Sequence, residues 1–212
     1  MLTAWGAGLA FALWRPLSTS DPISWLWVVV QTHLFTGLFI TAHDAMHGTV
    51  SPNRRVNNAV GAVALALFAL NRWKVLLPKH HEHHRHVATE ADPDYGPPAF
   101  WPWYFRFVTT YVSLWQLVGM AILFNVAKIW VDEYKLILYY VVPSILSTLQ
   151  LFYFGTYLPH RGEHAADNVH KARSQSKNHL LAFVSCYFFG YHYEHHDQPW
   201  VPWWLLYTTK NA

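Results

Sequence analysis

Cysteine is almost absent from this chain, since Cys186 is the single thiol among 212 residues. A lone thiol excludes an internal disulfide, an iron–sulfur cluster with four cysteine ligands and a C-x-x-C-H haem attachment site. If the chain performs redox chemistry, the electrons therefore come from outside it.

Formal charge is scarce as well. Asp, Glu, Lys and Arg make up 13% of the residues, which is about half of their share in an average soluble domain. Hydrophobic residues account for 53%, and the net charge of +3 is too small to indicate a nucleic-acid partner. This balance predicts an integral membrane protein that is surrounded by membrane lipids and binds no nucleic acid.

Long uncharged runs indicate where the chain crosses the bilayer. Three of them are long enough to cross roughly 30 Å of hydrocarbon as helices: Ile23 to Ala42, Phe107 to Ala127, and Leu136 to Gly155. Leu2 to Trp14 is apolar but shorter, and we interpret it as a short first span rather than a signal peptide. The predicted fold is an all-α integral membrane protein with about four transmembrane helices, in a single domain over residues 1–212.

Histidine, in contrast, is abundant, and most of its 15 copies are clustered. Two clusters share the pattern H-x-E-H-H, and a third has the spacing H-x-x-x-H. Neutral imidazole is a good ligand for iron, zinc, copper and nickel, and eight such rings exceed the needs of one tetrahedral ion. The count therefore predicts two metal ions. The candidate ligands are His43, His47, His80, His83, His84, His192, His195 and His196, with His160, after the last span, as a ninth.

The spacing within each cluster predicts how it meets the metals. His43 and His47 are four residues apart, so on a helix they lie on one face about 6 Å apart along the axis. In H-x-E-H-H the first and last histidines have the same spacing, while the middle one lies about 100° round the helix. Each H-x-E-H-H box is therefore predicted to serve both metals.

Iron is favoured over zinc as the bound metal. A mononuclear zinc hydrolase needs three protein ligands, a water and a water-accessible cleft, and this histidine count exceeds that need. Two iron ions with O₂ attack unactivated C–H bonds, which is the chemistry that a hydrocarbon dissolved in the membrane requires. We interpret the following as hydrogen-bonded, solvated or neighbouring residues without a bond to metal: His33, His81, His86, His164 and His179.

Carboxylates near the histidines are candidates for orienting the rings. A histidine that binds metal through one nitrogen usually donates its other N–H to a carboxylate or a carbonyl. We expect this role for the carboxylates that flank the boxes, which are Asp44, Glu82, Glu194 and Asp197. The segment Asp92-Pro93-Asp94-Tyr95 predicts a turn, from which Asp94 could reach back to a ligand.

Aromatic residues make up 17% of the chain. The clusters Phe100 to Phe105 and Trp200 to Trp204 are typical of an interfacial belt. A second set lies close in sequence to the histidine boxes and is a candidate lining for a tunnel that takes a long apolar substrate. Its members are Phe35, Phe39, Phe152, Phe154, Tyr157 and Phe188.

Histidines that share metals must emerge on one side of the bilayer, and this constrains the topology. A single crossing by Ala59 to Leu70 would place one cluster on the far side, so this stretch is predicted to be an interfacial or re-entrant helix, as is Leu180 to Tyr191. All Lys and Arg residues except Arg15, Lys128 and Lys135 then lie on the histidine side, which predicts that this side is cytoplasmic.

The three boxes resemble those of the membrane fatty-acid desaturase and hydroxylase superfamily. Three longer stretches resemble, more narrowly, the bacterial and cyanobacterial β-carotene ketolases: Thr36 to Gly48, Gln150 to His160, and Phe189 to His196. The resemblance extends from about Trp25 to Trp204. Many acyl desaturases have four residues between the histidines of the first box, and the three found here favour the ketolases.

This resemblance implies an O₂-dependent enzyme that oxidises C4 of the β-ionone ring in two successive hydroxylations, after which loss of water leaves a ketone. Repeated on the second ring, the reaction would convert β-carotene through echinenone to canthaxanthin. The eight clustered histidines would bind two Fe²⁺ ions with His160 as the ninth ligand, and ferredoxin or a similar reductant would supply electrons. His170 and Arg173 resemble a further motif of the family, whose role the residues do not indicate.

Other functions are compatible with these residues. A carotenoid C3 hydroxylase, or an acyl-lipid desaturase or hydroxylase, would use the same di-iron scaffold. A metal transporter with histidine-rich loops is disfavoured, because it predicts polar ligands at mid-membrane depth and the spans offer little beyond Gln31 and His33.

Overall fold

The computed structural model describes residues 1–210, so residues 211–212 of the predicted domain lie outside the described part. Within residues 1–210 the regular structure is helical and contains no strand, which confirms the all-α prediction. The helices are α1 (Leu2–Trp14), α2 (Pro22–Met46), α3 (Arg54–Ala69), α4 (Trp73–His86), α5 (Phe100–Tyr111), α6 (Leu114–Ala127), α7 (Glu133–His160), α8 (His179–Cys186) and α9 (His192–Asp197), followed by a 3₁₀ helix at Trp203–Thr208.

Two of these helices are long and apolar enough to cross a membrane on their own. α2 has 25 residues and contains the predicted span from Ile23 to Ala42, and α7 has 28 residues and contains the span from Leu136 to Gly155. α7 includes two π-helical segments, Ile137–Val141 and Tyr153–Tyr157. The predicted short first span coincides with α1, which has 13 residues.

The predicted span from Phe107 to Ala127 is not one helix, and this corrects the assignment made from the sequence. α5 ends and α6 begins within this range, and the two helices meet at a bend of 81°. The break arises because the Ser113 hydroxyl accepts the backbone N–H of Gln116, whose side-chain oxygen accepts the N–H of Ser113 in return. This capping box starts a new helix and so ends the previous one.

α3 and α4 form a second bent pair, with an angle of 101° between them. Leu70 follows α3 with a left-handed backbone, at φ +52°, which does not continue a right-handed helix. The predicted interfacial stretch Ala59 to Leu70 lies largely in α3, and most of α8 lies in Leu180 to Tyr191. With each bent pair counted as one span, the described residues contain up to four candidate spans.

α2 is the central helix, because it packs against α1, α3 and α7. Its side chains Phe35, Leu38 and Ile40 are fully buried. The hydroxyl of Thr36 donates a hydrogen bond to Oε1 of Gln150 in α7, at 2.5 Å. Apolar packing and this polar bond together hold the helix whose last turn carries the first histidine cluster.

Candidate metal centre

The first histidine cluster lies at the end of α2 because the sequence stops the helix there. Gly48 has φ +76°, a backbone that glycine adopts without steric cost, and Thr49 donates its N–H back to the carbonyl of Asp44 at 3.0 Å. His43 lies in the last turn of α2 and His47 caps it. Both rings therefore extend from the end of a buried helix.

The nine histidines predicted from the sequence lie in two groups, within each of which the candidate ligand atoms are all within 4.8 Å of one another. The rings come from the ends of α2 and α7 and from α4 and α9, so four separate helices meet at this place. The first group is His43, His47, His80, His84 and His195, and the second group is His83, His160, His192 and His196.

Each H-x-E-H-H box divides between the two groups, as the helical spacing predicts. In α4, His80 and His84 lie in the first group and His83 in the second. In α9 the assignment is reversed, because His192 and His196 lie in the second group and His195 in the first. A helix that runs between the two groups presents its i and i+4 residues to one of them and the residue about 100° away to the other.

The ring nitrogens face one another rather than separate partners. In the first group, Nε2 of His80 lies 2.7 Å from Nε2 of His47, and in the second group Nε2 of His160 lies 2.9 Å from Nε2 of His192. Two facing imidazole nitrogens share one proton at most. In a group of four or five histidines, some nitrogen lone pairs therefore point at one another with no N–H to accept. A metal bound at about 2.1 Å by each nitrogen would separate opposite ligands by about 4.2 Å. The donor set therefore fits one metal ion in each group.

The histidines of α9 are neutral, which is the form that binds metal. All three are buried, with side chains shielded from water. This burial, followed by repulsion from the neighbouring imidazoles, lowers the pKa of His192, His195 and His196 well below its ordinary value. Their lone pairs are thus available at neutral pH.

One ring is oriented by Asp92, for which the sequence predicts only a place in a turn. Nδ1 of His83 lies 2.9 Å from Oδ1 of Asp92, which also accepts the backbone N–H of Asp94. Burial raises the pKa of Asp92, but its bond to His83 and the backbone N–H groups outweigh burial, so its pKa is lowered. The side chain is therefore a carboxylate that accepts the Nδ1–H and leaves Nε2 of His83 free for metal.

A second ring is oriented by the backbone. Nδ1 of His160 donates to the carbonyl oxygen of Lys171 at 2.8 Å, which leaves its Nε2 facing His192. A carbonyl has no signature in the sequence, since every residue carries one. The Asp92 contact left a weak signal, because the Asp-Pro pair predicts a chain reversal shortly after the box in α4.

The five predicted carboxylates take different positions. Asp94 lies 3.8 Å from Nδ1 of His83 through Oδ2, and Asp44 lies 3.7 Å from Nδ1 of His43 through Oδ1. The other oxygen of Asp44 accepts the backbone N–H of Trp203 at 3.0 Å, so it also holds the C-terminal segment against α2.

The remaining three carboxylates contact other groups. Glu82 pairs with Arg85 and His86, Glu194 with Ser174 and Lys210, and Asp197 with His170. Glu82 and Glu194 occupy the third position of their boxes, which is about 200° round the helix from the first histidine. Their side chains therefore lie on the opposite side of the helix from the metal-facing rings.

A largely apolar cavity adjoins both histidine groups. It touches seven of the nine rings, and the rest of its wall is mostly hydrophobic. The apolar wall comes from α2, α3, α4, α5 and α7 and from the segment before α9. Among its members are Phe39, Phe68, Leu76, Phe107, Val108, Leu151 and Phe189.

The predicted tunnel residues are distributed over several places. Phe39 lines the cavity, whereas Phe35 and Phe152 are fully buried in the packing between helices. Phe154 and Tyr157 line a separate cleft beside Arg161 and Arg173. Phe188 stacks on Trp203 and lies against the tilted ring of Tyr207. Part of the cavity wall, including Phe68, Phe107 and Val108, comes from residues that are far from the histidine boxes in sequence.

Comparison with known proteins assigns the family. The family model described as fatty acid desaturase matches residues 20–133 and 97–211. The β-carotene ketolase of Paracoccus sp. (strain PC1) is 42% identical over 218 residues, which cover 100% of this chain and 90% of that protein. The β-carotene ketolase of a second Paracoccus strain is 40% identical, over 99% of this chain and 89% of its own length.

A third relative is similar over about half of its own length. The β-carotene 4-ketolase of Protosiphon botryoides is 41% identical, over 88% of this chain and 52% of its own length. No solved structure matches the chain. Because both the family model and these relatives cover most of its residues, the chain belongs to the fatty acid desaturase family and, within it, to the β-carotene ketolases.

Proposed function

We propose that this protein is a membrane-bound di-iron oxygenase that oxidises C4 of the β-ionone rings of β-carotene to a ketone. The observation that carries the proposal is the pair of converging histidine groups at the end of an apolar cavity, in a chain 42% identical to a β-carotene ketolase. Acyl-lipid desaturation and carotenoid C3 hydroxylation are not favoured, because the relatives that match most of the chain are ketolases.

The two histidine groups would each hold one iron ion, with five imidazoles in the first and four in the second. Iron bound there would supply the activation of O₂ that attack on an unactivated C–H bond requires. Asp92 and the carbonyl of Lys171 would fix His83 and His160 in the tautomer that offers Nε2 to the metal.

The cavity would orient the substrate and exclude water. Its hydrophobic wall suits a carotenoid ring, which carries no polar group that needs a partner. Seven of the nine imidazole rings touch this cavity. A carbon of the β-ionone ring bound there would therefore lie next to both histidine groups. The carotenoid would enter from the bilayer, in which it is dissolved.

The overall reaction balances with an external reductant. Each hydroxylation inserts one oxygen atom of O₂ into a C4–H bond and reduces the other atom to water with two electrons and two protons. Two hydroxylations at one carbon form a geminal diol, which loses water to leave the ketone. Since Cys186 is the only thiol in the chain, no protein-bound redox cluster supplies the electrons, and ferredoxin or a similar carrier would do so.

Residues 1–212 would act as one domain, because each histidine group draws its rings from helices between α2 and α9. The histidine side would face the cytoplasm, since Lys and Arg concentrate on the segments that flank the histidine boxes. The reductant would therefore reach the metals from the cytoplasmic side.

Expression in a bacterium that produces β-carotene tests the function directly. We expect pigment in which each modified ring has gained one oxygen and lost two hydrogens, with the mono-ketone formed before the di-ketone. The variant His195→Ala should leave β-carotene unchanged, whereas the matched variant His179→Ala, outside both groups, should retain activity. A pigment that gains oxygen without losing hydrogen would indicate a hydroxylase, and unchanged β-carotene with the parent chain would overturn the proposal.

A further inference from the structure

The cavity beside the histidines extends to two places where the helices are broken. Its wall includes Ala69 and Asn71, at the bend between α3 and α4, and Val112, at the bend between α5 and α6. The histidines line the cavity as well, so it connects the candidate metal centre with both bends. Broken helices at membrane depth are tolerated where the exposed backbone lines a cavity or is bonded to protein.

Gln116 joins the two bends. Its Oε1 accepts the backbone N–H of Ser113 at 2.7 Å, and its Nε2 donates to Oδ1 of Asn71 at 2.6 Å and to the carbonyl of Ala69 at 3.3 Å. Gln116 is the buried residue of α6. One amide therefore satisfies backbone groups at both breaks and sets the distance between them.

The cavity reaches the outside at the bend between α5 and α6. Val112 lines the cavity and is nevertheless 37% exposed, so it lies at an opening rather than in a closed wall. α6 continues from this point with large apolar side chains that are exposed, among them Leu114, Leu117 and Val118. In a membrane protein such a surface faces lipid, which makes the opening a lateral one.

We propose that this opening at Val112, with Ala69 and Asn71 on the cavity wall inside it, is a lateral portal that holds the conjugated polyene of the substrate. The inference rests on the proposed function. β-Carotene carries a ring at each end of a long apolar chain, and only one ring can lie at the histidines at a time. The remainder must leave the cavity, and the portal leads from the metal centre to the apolar surface of α6.

The portal determines how the second ring of β-carotene reaches the histidines. The β-carotene molecule would enter the portal with one ring leading, and its second ring would stay in the bilayer. Oxidation of the second ring then requires the mono-ketone to leave and to enter again with its other end. The Gln116 bridge would hold the two bends together during these passages.

Cysteine labelling in liposomes tests the portal without relying on turnover. The variant Val112→Cys places a thiol at the opening, and the matched control Val29→Cys places one on the exposed side of α2, at 65% exposure. Burial raises the pKa of Cys186, so the native thiol stays protonated and unreactive. With β-carotene about tenfold above its Kd, we expect labelling of Val112→Cys by a lipid-soluble maleimide to slow about tenfold and labelling of Val29→Cys to stay unchanged.

The outcomes separate the portal from the proposed function. If the parent chain converts β-carotene and the carotenoid fails to protect Val112→Cys, the portal is overturned while the ketolase function stands. If phospholipid acyl chains alone protect Val112→Cys and β-carotene adds no further protection, the portal proposal is also overturned. The opening would then be a lipid-binding site. If the parent chain leaves β-carotene unconverted, the proposed function itself fails.

A blocking variant supplies a second measurement. Val112→Trp should lower kcat/KM for β-carotene at least about tenfold while the iron content per chain stays at the parent value. Val29→Trp, which adds the same side chain to the exposed side of α2, should change neither quantity. Full turnover by Val112→Trp would contradict the portal, and if that variant loses iron through misfolding, the labelling of Val112→Cys decides the question.

Discussion

Nδ1 of His83 lies 2.9 Å from Oδ1 of Asp92, and this bond orients the single ring that α4 contributes to the second histidine group. Asp92 also accepts the backbone N–H groups of Ala88 and Asp94, so the backbone holds the carboxylate in place independently of the His83 ring. The turn after α4 thus supplies the partner that the glutamate inside the box does not supply.

Replacement of Asp92 by alanine should weaken iron binding in the second group. Carboxylates that orient metal-binding histidines typically contribute about 10- to 100-fold to metal affinity. We expect Asp92→Ala to lose about one iron per chain on dialysis against a chelator that leaves the parent protein loaded, measured by elemental analysis. Glu82→Ala is the matched control, because Glu82 forms only exposed pairs with Arg85 and His86. Equal iron retention in Asp92→Ala and the parent would contradict the assignment.

Neighbouring histidines of α9 should affect different metals. His195 lies in the first group and His196 in the second, so His195→Ala and His196→Ala each remove a ligand from a different ion. Each single variant should retain about one iron ion per chain and the double variant none, because two independent sites are altered. Elemental analysis of detergent-purified protein measures this. Complete loss of both ions in either single variant would indicate one coupled site instead.

Tyr111 should stabilise the fold through its bond to Asp94, next to the second group. Its hydroxyl donates to Oδ1 of Asp94, a half-buried side chain whose pKa is raised by burial, so water competes only weakly for this carboxyl group. Tyr111→Phe leaves this oxygen without its donor and should cost about 1–3 kcal/mol of stability. Thermal unfolding in detergent measures the change, with Tyr95→Phe at an exposed site as control. Unchanged unfolding of Tyr111→Phe would show that the bond does not contribute.

Gly61 should be required for the close packing of α3 on α4. A Cβ atom built at this position would lie 1.9 Å from the Trp73 ring, at the start of the helix that carries the second histidine box. Gly61→Ala should therefore destabilise the fold by about 1–3 kcal/mol and lower the iron content. Gly6→Ala is the matched control, because a Cβ there meets nothing within 4 Å, and alanine favours a helix by up to about 1 kcal/mol over glycine. Equal unfolding temperatures for both variants would contradict this account.

The local arrangement of the histidines was predictable from the sequence, because it depends on helix periodicity alone. The spacing of His80, His83 and His84 places two rings on one face of a helix and the third beside them, and the structure has this arrangement. The break at Ser113 also had a local signal, the Ser-x-x-Gln capping box, although the uncharged run from Phe107 to Ala127 indicated one continuous span.

The contacts between distant segments could not be read in the same way. The sequence indicates a turn at Asp92 but not that its carboxylate meets His83, nine residues away. The cavity wall likewise combines Phe39, Phe68, Phe107 and Leu151 from four helices. Residue type and helical spacing are properties of neighbouring residues, so the metal-binding histidines can be predicted from the sequence. Which ring meets which carboxylate, and where the apolar walls open, depends on how whole helices pack and bend, and that is a property of the assembled bundle.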